Sequence, residues 1–378
     1  MANIQKRGPS RYRVRYRDKG PERKEHSKTF TKKVDAEKFA STVEADLARG
    51  CWVAPERGRK TFDHYAKLWM TTLDCTAKTR ESYTSLLNKW LLPSFGLYEV
   101  QQISWSSIEA FKAKMLNSDA SPKTVTNALN VLTPILNHAL RDGALVTNPA
   151  REVRKPRSRG ESRATFKSAS TISALADFIG GPHGSLVLFA GFSGLRAGEC
   201  AGLQVADLDL MRGRVTVQRS VSEANGGLQF SLPKNGKVRT VPIPPFLRDH
   251  MVEHLQAQGI DSDMSAQVFN SPTGGVFRHS NFYKRVFRPA IKQFGIEGFR
   301  FHDLRHSYAA MLIAADGHPR AIMERMGHSS VQITLDTYGH LFPELDEALT
   351  DGLETAFQKA ISINVRPKRG LSDLQRSA

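Results

Sequence analysis

His302-Asp303-Leu304-Arg305-His306 is the stretch on which the reading of this chain turns. Histidines four residues apart share one face of a helix, a spacing that also suits a metal pair. The arginine between them argues against a metal, because a guanidinium beside a cation is unfavourable, and no nearby Cys or carboxylate pair completes a ligand set. A guanidinium does suit phosphate, whose non-bridging oxygens its planar, permanently charged fork matches. Further phosphate-handling groups flank this stretch in order. Arg196 lies in Gly194-Leu195-Arg196-Ala197-Gly198-Glu199 and Lys234 in Pro233-Lys234-Asn235-Gly236-Lys237. His328 follows in Gly327-His328-Ser329-Ser330, and Tyr338 in Asp336-Thr337-Tyr338-Gly339-His340. Taken singly, each fits a surface salt bridge, a solvated turn or a packed ring. Their order and spacing carry the weight.

Charge points the same way. The chain has 378 residues and 54 Lys+Arg against 37 Asp+Glu, a formal +17. Such an excess favours a polyanionic partner, nucleic acid or an anionic membrane. No apolar run approaches the roughly 18–20 residues that span a bilayer, and the N-terminus has no apolar stretch after its charges. The three cysteines, Cys51, Cys75 and Cys200, are far apart and form no disulfide framework, which suits a reducing cytoplasm. GxxxxGK[ST], GxSxG and HExxH are all absent, which sets aside the chemistries they serve.

The excess is concentrated. Residues 1–33 carry twelve Lys/Arg and three acids, and 151–167 carry seven against two. In Arg11-Tyr12-Arg13-Val14-Arg15-Tyr16-Arg17, arginine alternates with Tyr and Val. A strand would therefore put four guanidiniums on one face and three apolar groups on the other. A turn at Asp18-Lys19-Gly20-Pro21 and a further strand through Phe30 follow. Residues 33–48 then form an amphipathic helix ending at Gly50. Residues 1–55 thus read as a small sheet packed on one helix, with an arginine face able to enter a DNA groove.

Residues 60–150 read as four helices, with Thr61 and Ser121-Pro122 as starts and Asn148-Pro149 as the close. The polar stretch 151–167 reads as a basic linker, in which Arg154, Lys155 and Arg157 are candidate DNA contacts. Beyond it, helical patterns resume at 170–202, strand-like stretches follow at 214–217, 228–232 and 238–243, and from 245 the chain is again mostly helical. The Asn235-Gly236 turn is expected to join the last two strands as a hairpin. Arg278, Lys284, Arg285, Arg288 and Lys292 mark a surface that either tracks phosphates or is simply solvated. The fold class is mainly helical α+β.

The ordered set Arg196, Lys234, His302-x-x-Arg305-His306, Gly327-His328 and Tyr338 resembles the tyrosine recombinase (phage integrase) family, of the type that carries an arm-binding domain. The resemblance covers residues 60–345, and the N-terminal strands resemble the family's arm-binding domain. It implies a helical core-binding domain (60–150), a mixed α/β catalytic domain (168–345) and a C-terminal helix and tail (346–378). It implies cleavage by the Tyr338 phenol to a 3′-phosphotyrosyl link and a free 5′-hydroxyl. Arg196 and Arg305 would hold the phosphate, Lys234 would be the general acid, His302 the proton acceptor for Tyr338, and His328 a donor to the phosphate. Glu199 would orient Arg196 and Asp303 a histidine, although Asp303 and His306 can equally be satisfied core polar groups. No metal, nucleotide or other cofactor is expected.

The implied partners are double-stranded DNA at core and arm sites, a homotetramer on that DNA, and a host DNA-bending protein with an excision factor. The implied location is the cytoplasm and nucleoid of a bacterial host. The helix at the C-terminus would either pack on a neighbouring protomer or cap its own domain. Two other readings stay open at this point: a type IB topoisomerase-like strand transferase, and a DNA-binding accessory protein that does not cleave.

Overall fold

A computed structural model of the chain describes residues 2–18, 24–50, 58–118, 120–157, 166–271, 274–342 and 346–362. It divides into two compact units. One is Met1–Ser162 with Ala224–Gly227, and the other is Arg163–Glu223 with Leu228–Ala378. The expected turn at Lys19-Gly20-Pro21, the linker residues 158–165 and the tail 363–378 lie outside the described residues.

The first unit holds two separate cores. Strands β1 (Asn3–Gly8), β2 (Arg11–Arg17) and β3 (Glu25–Phe30) form an antiparallel sheet with β2 central. Val14 pairs with Ile4 on one side and Lys28 on the other. The alternation in β2 sorts its side chains. Val14 and Tyr16 are buried against Ala36, Ala40 and Val43 of helix α1 (Lys33–Arg49), while Arg11 and Arg17 stay exposed. Gly50 ends α1 with φ 71°, a conformation that favours glycine.

The second core is helical, built by α2 (Phe62–Thr72), α3 (Ala77–Leu86), α4 (Leu92–Phe95), α5 (Trp105–Leu116) and α6 (Pro122–Arg141). Thr61 and Ser121 cap α2 and α6 through their hydroxyls, which accept from the His64 and Thr124 amides. Pro93 does not stop its helix, because a wide π turn at Leu87–Leu91 precedes it and its missing N–H falls in a first turn. Buried Asn148 closes the unit. Its amide donates to Thr133 O (3.0 Å) and Asn137 Oδ1 (2.8 Å), and its Oδ1 accepts from Ala150 N (2.9 Å).

In the second unit, α7 (Ala169–Ile179), α8 (Gly181–Ser193) and α9 (Ala197–Ala201) precede the strands. Strands β4 (Leu208–Asp209), β5 (Arg214–Val217) and β8 (Arg239–Pro242) form one sheet, and β6 (Ser220–Ala224) and β7 (Gly227–Ser231) another. The expected hairpin between β7 and β8 is therefore absent. Asn225-Gly226 makes the tight turn instead, joining β6 to β7. Both of its residues have positive φ (51° and 74°), as the favoured two-residue hairpin turn demands. At Asn235-Gly236 only the glycine does (69°), and Gly236 N instead closes a turn on Pro233 O. β8 then pairs with β5, Val215 opposite Val241 and Val217 opposite Arg239.

Helices α10 (Pro245–Gln258), α11 (His279–Phe282), α12 (Arg288–Gln293), α13 (Phe301–Ala314), α14 (Pro319–Met326), α15 (Val331–Tyr338) and α16 (Asp346–Ser362) complete the unit. No helix among the described residues is long and apolar enough to cross a membrane.

Candidate active site

One device recurs at helix starts in the second unit. An acidic residue three positions into the helix turns back to the amide of the residue that opens it, satisfying a donor the helix cannot. Glu199 does this for Arg196 (2.9 Å) and Asp303 for Arg300 (2.7 Å). At Glu199 the device also builds the site. Its carboxylate is 1% exposed and accepts from Arg196 Nη1 (2.9 Å) and from Arg239 Nη1 and Nη2 (3.0 and 2.7 Å). Burial works to raise its pKa, but the Arg239 hydrogen bonds and charge, joined by Arg196, hold it down at about 2.

Arg305 is buried on α13. Its Nη1 donates to Gly194 O (2.5 Å) and its Nη2 to Met326 O. Burial and the nearby Arg196 charge pull its pKa down to about 9. Arg196 keeps a quarter of its side chain open to solvent and reaches Gly327 O (3.2 Å).

Tyr338 ends α15 and is 1% exposed. Its hydroxyl meets His306 Nδ1 at 2.8 Å, and its ring lies parallel to that of His328 with centroids 6.4 Å apart. Burial raises the phenol to about 12 against the pull of Arg305 and Arg196. His328 bonds Thr334 Oγ1 (2.9 Å). Burial and then the two arginines lower its pKa to about 4, and burial lowers that of His306 too.

These shifts predict acid sensitivity. The unfolded chain takes up protons near its ordinary His pKa of 6.5, which the folded His328 refuses until about 4, so stability falls as pH drops between them. Glu199 extends the loss from 4.5 toward 2. A thermal-melt series should show the melting temperature falling below about pH 6.5, with a shallower slope in His328→Gln. A flat profile would contradict neutral histidines.

Four sequence expectations need correction or qualification. The histidine hydrogen-bonded to Tyr338 is His306, not His302. His302 lies one helical turn earlier on α13, exposed, with its ring at right angles to His306 (centroids 4.9 Å). Asp303 bonds no histidine. It is fully buried and spent on Arg300, whose Nε and Nη2 it accepts at 3.2 and 2.9 Å. Lys234 stands exposed on the turn before β8. Of the arm arginines, Arg13 donates to Ser27 Oγ (2.8 Å), Arg15 to Glu25 (2.6 Å), and Arg17 pairs with Glu25 (3.7 Å), so three of the four are already engaged. Arg154, Lys155 and Arg157 are exposed. Among the described residues no three His, Cys, Asp or Glu side chains gather as a metal site requires.

Sequence reasoning missed Arg239 and Thr334, and gave Gly327 no task of its own. A signal existed for Arg239. It shares strand parity with buried Val241, and an arginine in an apolar register needs a buried partner. Gly327 is needed for two reasons: its φ is 61°, and a Cβ there would stand 2.9 Å from the Arg239 guanidinium. Gly327→Ala is expected to cost about 1–2 kcal/mol from the left-handed backbone alone, read by denaturant unfolding.

Comparison with known proteins agrees with this architecture. Residues 168–344 match the phage integrase family and residues 61–116 its N-terminal SAM-like domain. A putative prophage phiRv2 integrase of Mycobacterium tuberculosis is 27% identical over 321 residues, covering 82% of this chain and 83% of its own. The ICEBs1 integrase of Bacillus subtilis is 26% identical over 341 residues, covering 84% and 89%. In fold, the chain is similar to the Tn1549 transposon integrase in complex with a circular intermediate DNA (TM-score 0.68, 18% identity, 78% of this chain and 99% of that one). It is also similar to a lambda integrase dimer bound to a core site (TM-score 0.57, 16% identity, 89% and 95%). With two family domains matched in the expected order and mobile-element integrases related along most of its length, this chain belongs to the phage integrase family: it is a tyrosine recombinase, a DNA strand-transferring enzyme.

Proposed function

We propose that this enzyme integrates or excises a phage or related mobile element, with Tyr338 as its nucleophile. The observation that carries this reading is the 2.8 Å contact between the Tyr338 hydroxyl and His306, in the same site as Arg196 and Arg305. Phosphodiesters are inert, so the chemistry needs charge placed in advance where the phosphorane forms. Arg196 and Arg305 supply it. Tyr338 attacks phosphorus as its proton passes to His306, and the P–O5′ bond breaks. Lys234 protonates the departing 5′-oxygen once DNA brings the turn to the phosphate, and His328 donates to a non-bridging oxygen. The product is a 3′-phosphotyrosyl link and a 5′-hydroxyl. The link conserves the energy of the broken bond, so a 5′-hydroxyl from another strand reseals it with no nucleotide.

The arginine face of β2 is read as a grip on arm-type DNA, and Arg154, Lys155 and Arg157 as backbone contacts at the core site. A tetramer on DNA, a host DNA-bending protein and an excision factor complete the assembly, which works at the nucleoid. Deleting residues 1–55 should abolish binding to a distal arm sequence while core cleavage persists, as gel shift and cleavage assays would show. Loss of core cleavage in a folded truncation would argue against separate roles.

The direct test uses the full chain and a pool of nicked duplexes with a randomised core. A nick that lets the short fragment bearing the new 5′-hydroxyl diffuse away traps the covalent adduct, which is recovered, amplified and sequenced. Enrichment of one core sequence, joined to protein through its 3′ phosphate, is expected. Failure to recover any Tyr338-linked adduct would overturn the reading.

A further inference from the structure

Arg239 is a guanidinium that the chemistry above leaves without a task. Its side chain is 10% exposed, and each of its three guanidinium nitrogens donates to a protein acceptor. Nη1 and Nη2 take both oxygens of Glu199, and Nε takes Arg325 O at 3.1 Å. Arg305 takes the next carbonyl, Met326 O, and Arg196 the one after, Gly327 O. Three guanidiniums therefore hold three consecutive carbonyls at the end of α14, directly before His328. Cations suit that end of a helix, where unpaired carbonyls collect.

We propose that Arg239 is a positioning residue: it fixes Glu199 and the Arg325–Gly327 turn, and through them aims Arg196 and His328 at the scissile phosphate. This rests on the reading of the site given above. Glu199 is shared, since its Oε1 accepts from both Arg196 and Arg239. Without Arg239 the carboxylate has Arg196 as its sole guanidinium and draws that fork onto itself, away from the phosphate. The 325–327 turn also loses a tether on the side facing β8. A lysine cannot stand in, because a single ammonium does not span two coplanar oxygens and a carbonyl beyond them. Displacing catalytic groups by about 1 Å is enough to cost on the order of 10²-fold in rate.

The test compares Arg239→Lys, Arg239→Met and Arg239→Ala in the full chain with wild type, on the nicked duplex recovered by the covalent selection. Two quantities are read: the rate of adduct formation at saturating protein, and the Kd for the same duplex. The proposal expects the rate to fall on the order of 10²-fold with Kd nearly unchanged in Arg239→Lys, which keeps the charge and the stem. It also expects added guanidinium ion to restore part of the rate in Arg239→Ala. Wild-type rates in the lysine and methionine variants would overturn it. A parallel loss of rate and affinity, with no rescue by guanidinium, would also overturn it by reducing Arg239 to a prop for the fold. If wild type itself forms no adduct, the underlying reading of the site fails, which is distinguishable from a failure of Arg239 alone.

Discussion

Tyr338→Phe is expected to bind DNA as wild type does and to form no covalent adduct at all. The substitution removes one oxygen from a ring that keeps its packing beside His328 and Phe166. Its structural cost is small, about 1 kcal/mol for the lost hydrogen bond to His306. Its chemical cost is total, because among the described residues no other hydroxyl or thiol meets His306. Cys200 is buried, its thiol pKa pushed up by desolvation and then by Glu199, and Tyr308 packs its ring against Gly194. The measurement is denaturing electrophoresis of the nicked-duplex reaction beside a filter-binding titration. A covalent product in the phenylalanine variant would place the nucleophile elsewhere.

Arg305→Lys is the second large effect. The charge is kept, but the fork that satisfies Gly194 O and Met326 O is lost. An ammonium cannot hold both carbonyls and still meet two phosphate oxygens. By comparison with removal of one oxyanion donor, the cleavage rate should fall about 10²–10³-fold. DNA affinity should change little, because the rest of the +17 charge supplies the backbone contacts. A reaction slowed by that factor with unchanged Kd is the expected signature. A rate within a few-fold of wild type would remove Arg305 from the chemistry.

Much of this was legible in the sequence, and the failures have physical causes. The β2 alternation was readable because a strand has only two faces and the pattern filled both consistently. The helical stripes were readable for the same reason at period 3.6. The hairpin was misplaced because two Asn-Gly pairs lie ten residues apart, and the sequence does not show which asparagine adopts positive φ. His306 was ranked behind His302 because both lie on α13. Only the angular position of α15, a tertiary matter, decides which one meets Tyr338. Asp303 was spent locally, since a carboxylate three residues into a helix finds the opening amide before any distant ring. Arg239 went unnoticed because its partner Glu199 lies forty residues away.

The three guanidiniums on the end of α14 also bear on how the site meets DNA. Burial first, and then repulsion from Arg196, lower the pKa of Arg305. That repulsion is balanced by Glu199 and three backbone carbonyls, so it was met once, when the chain folded. A phosphate arriving with DNA finds its dipoles already aligned and needs little reorganisation to be bound. The second unit therefore brings like charges together ahead of DNA, and an anion that enters the site relieves their repulsion.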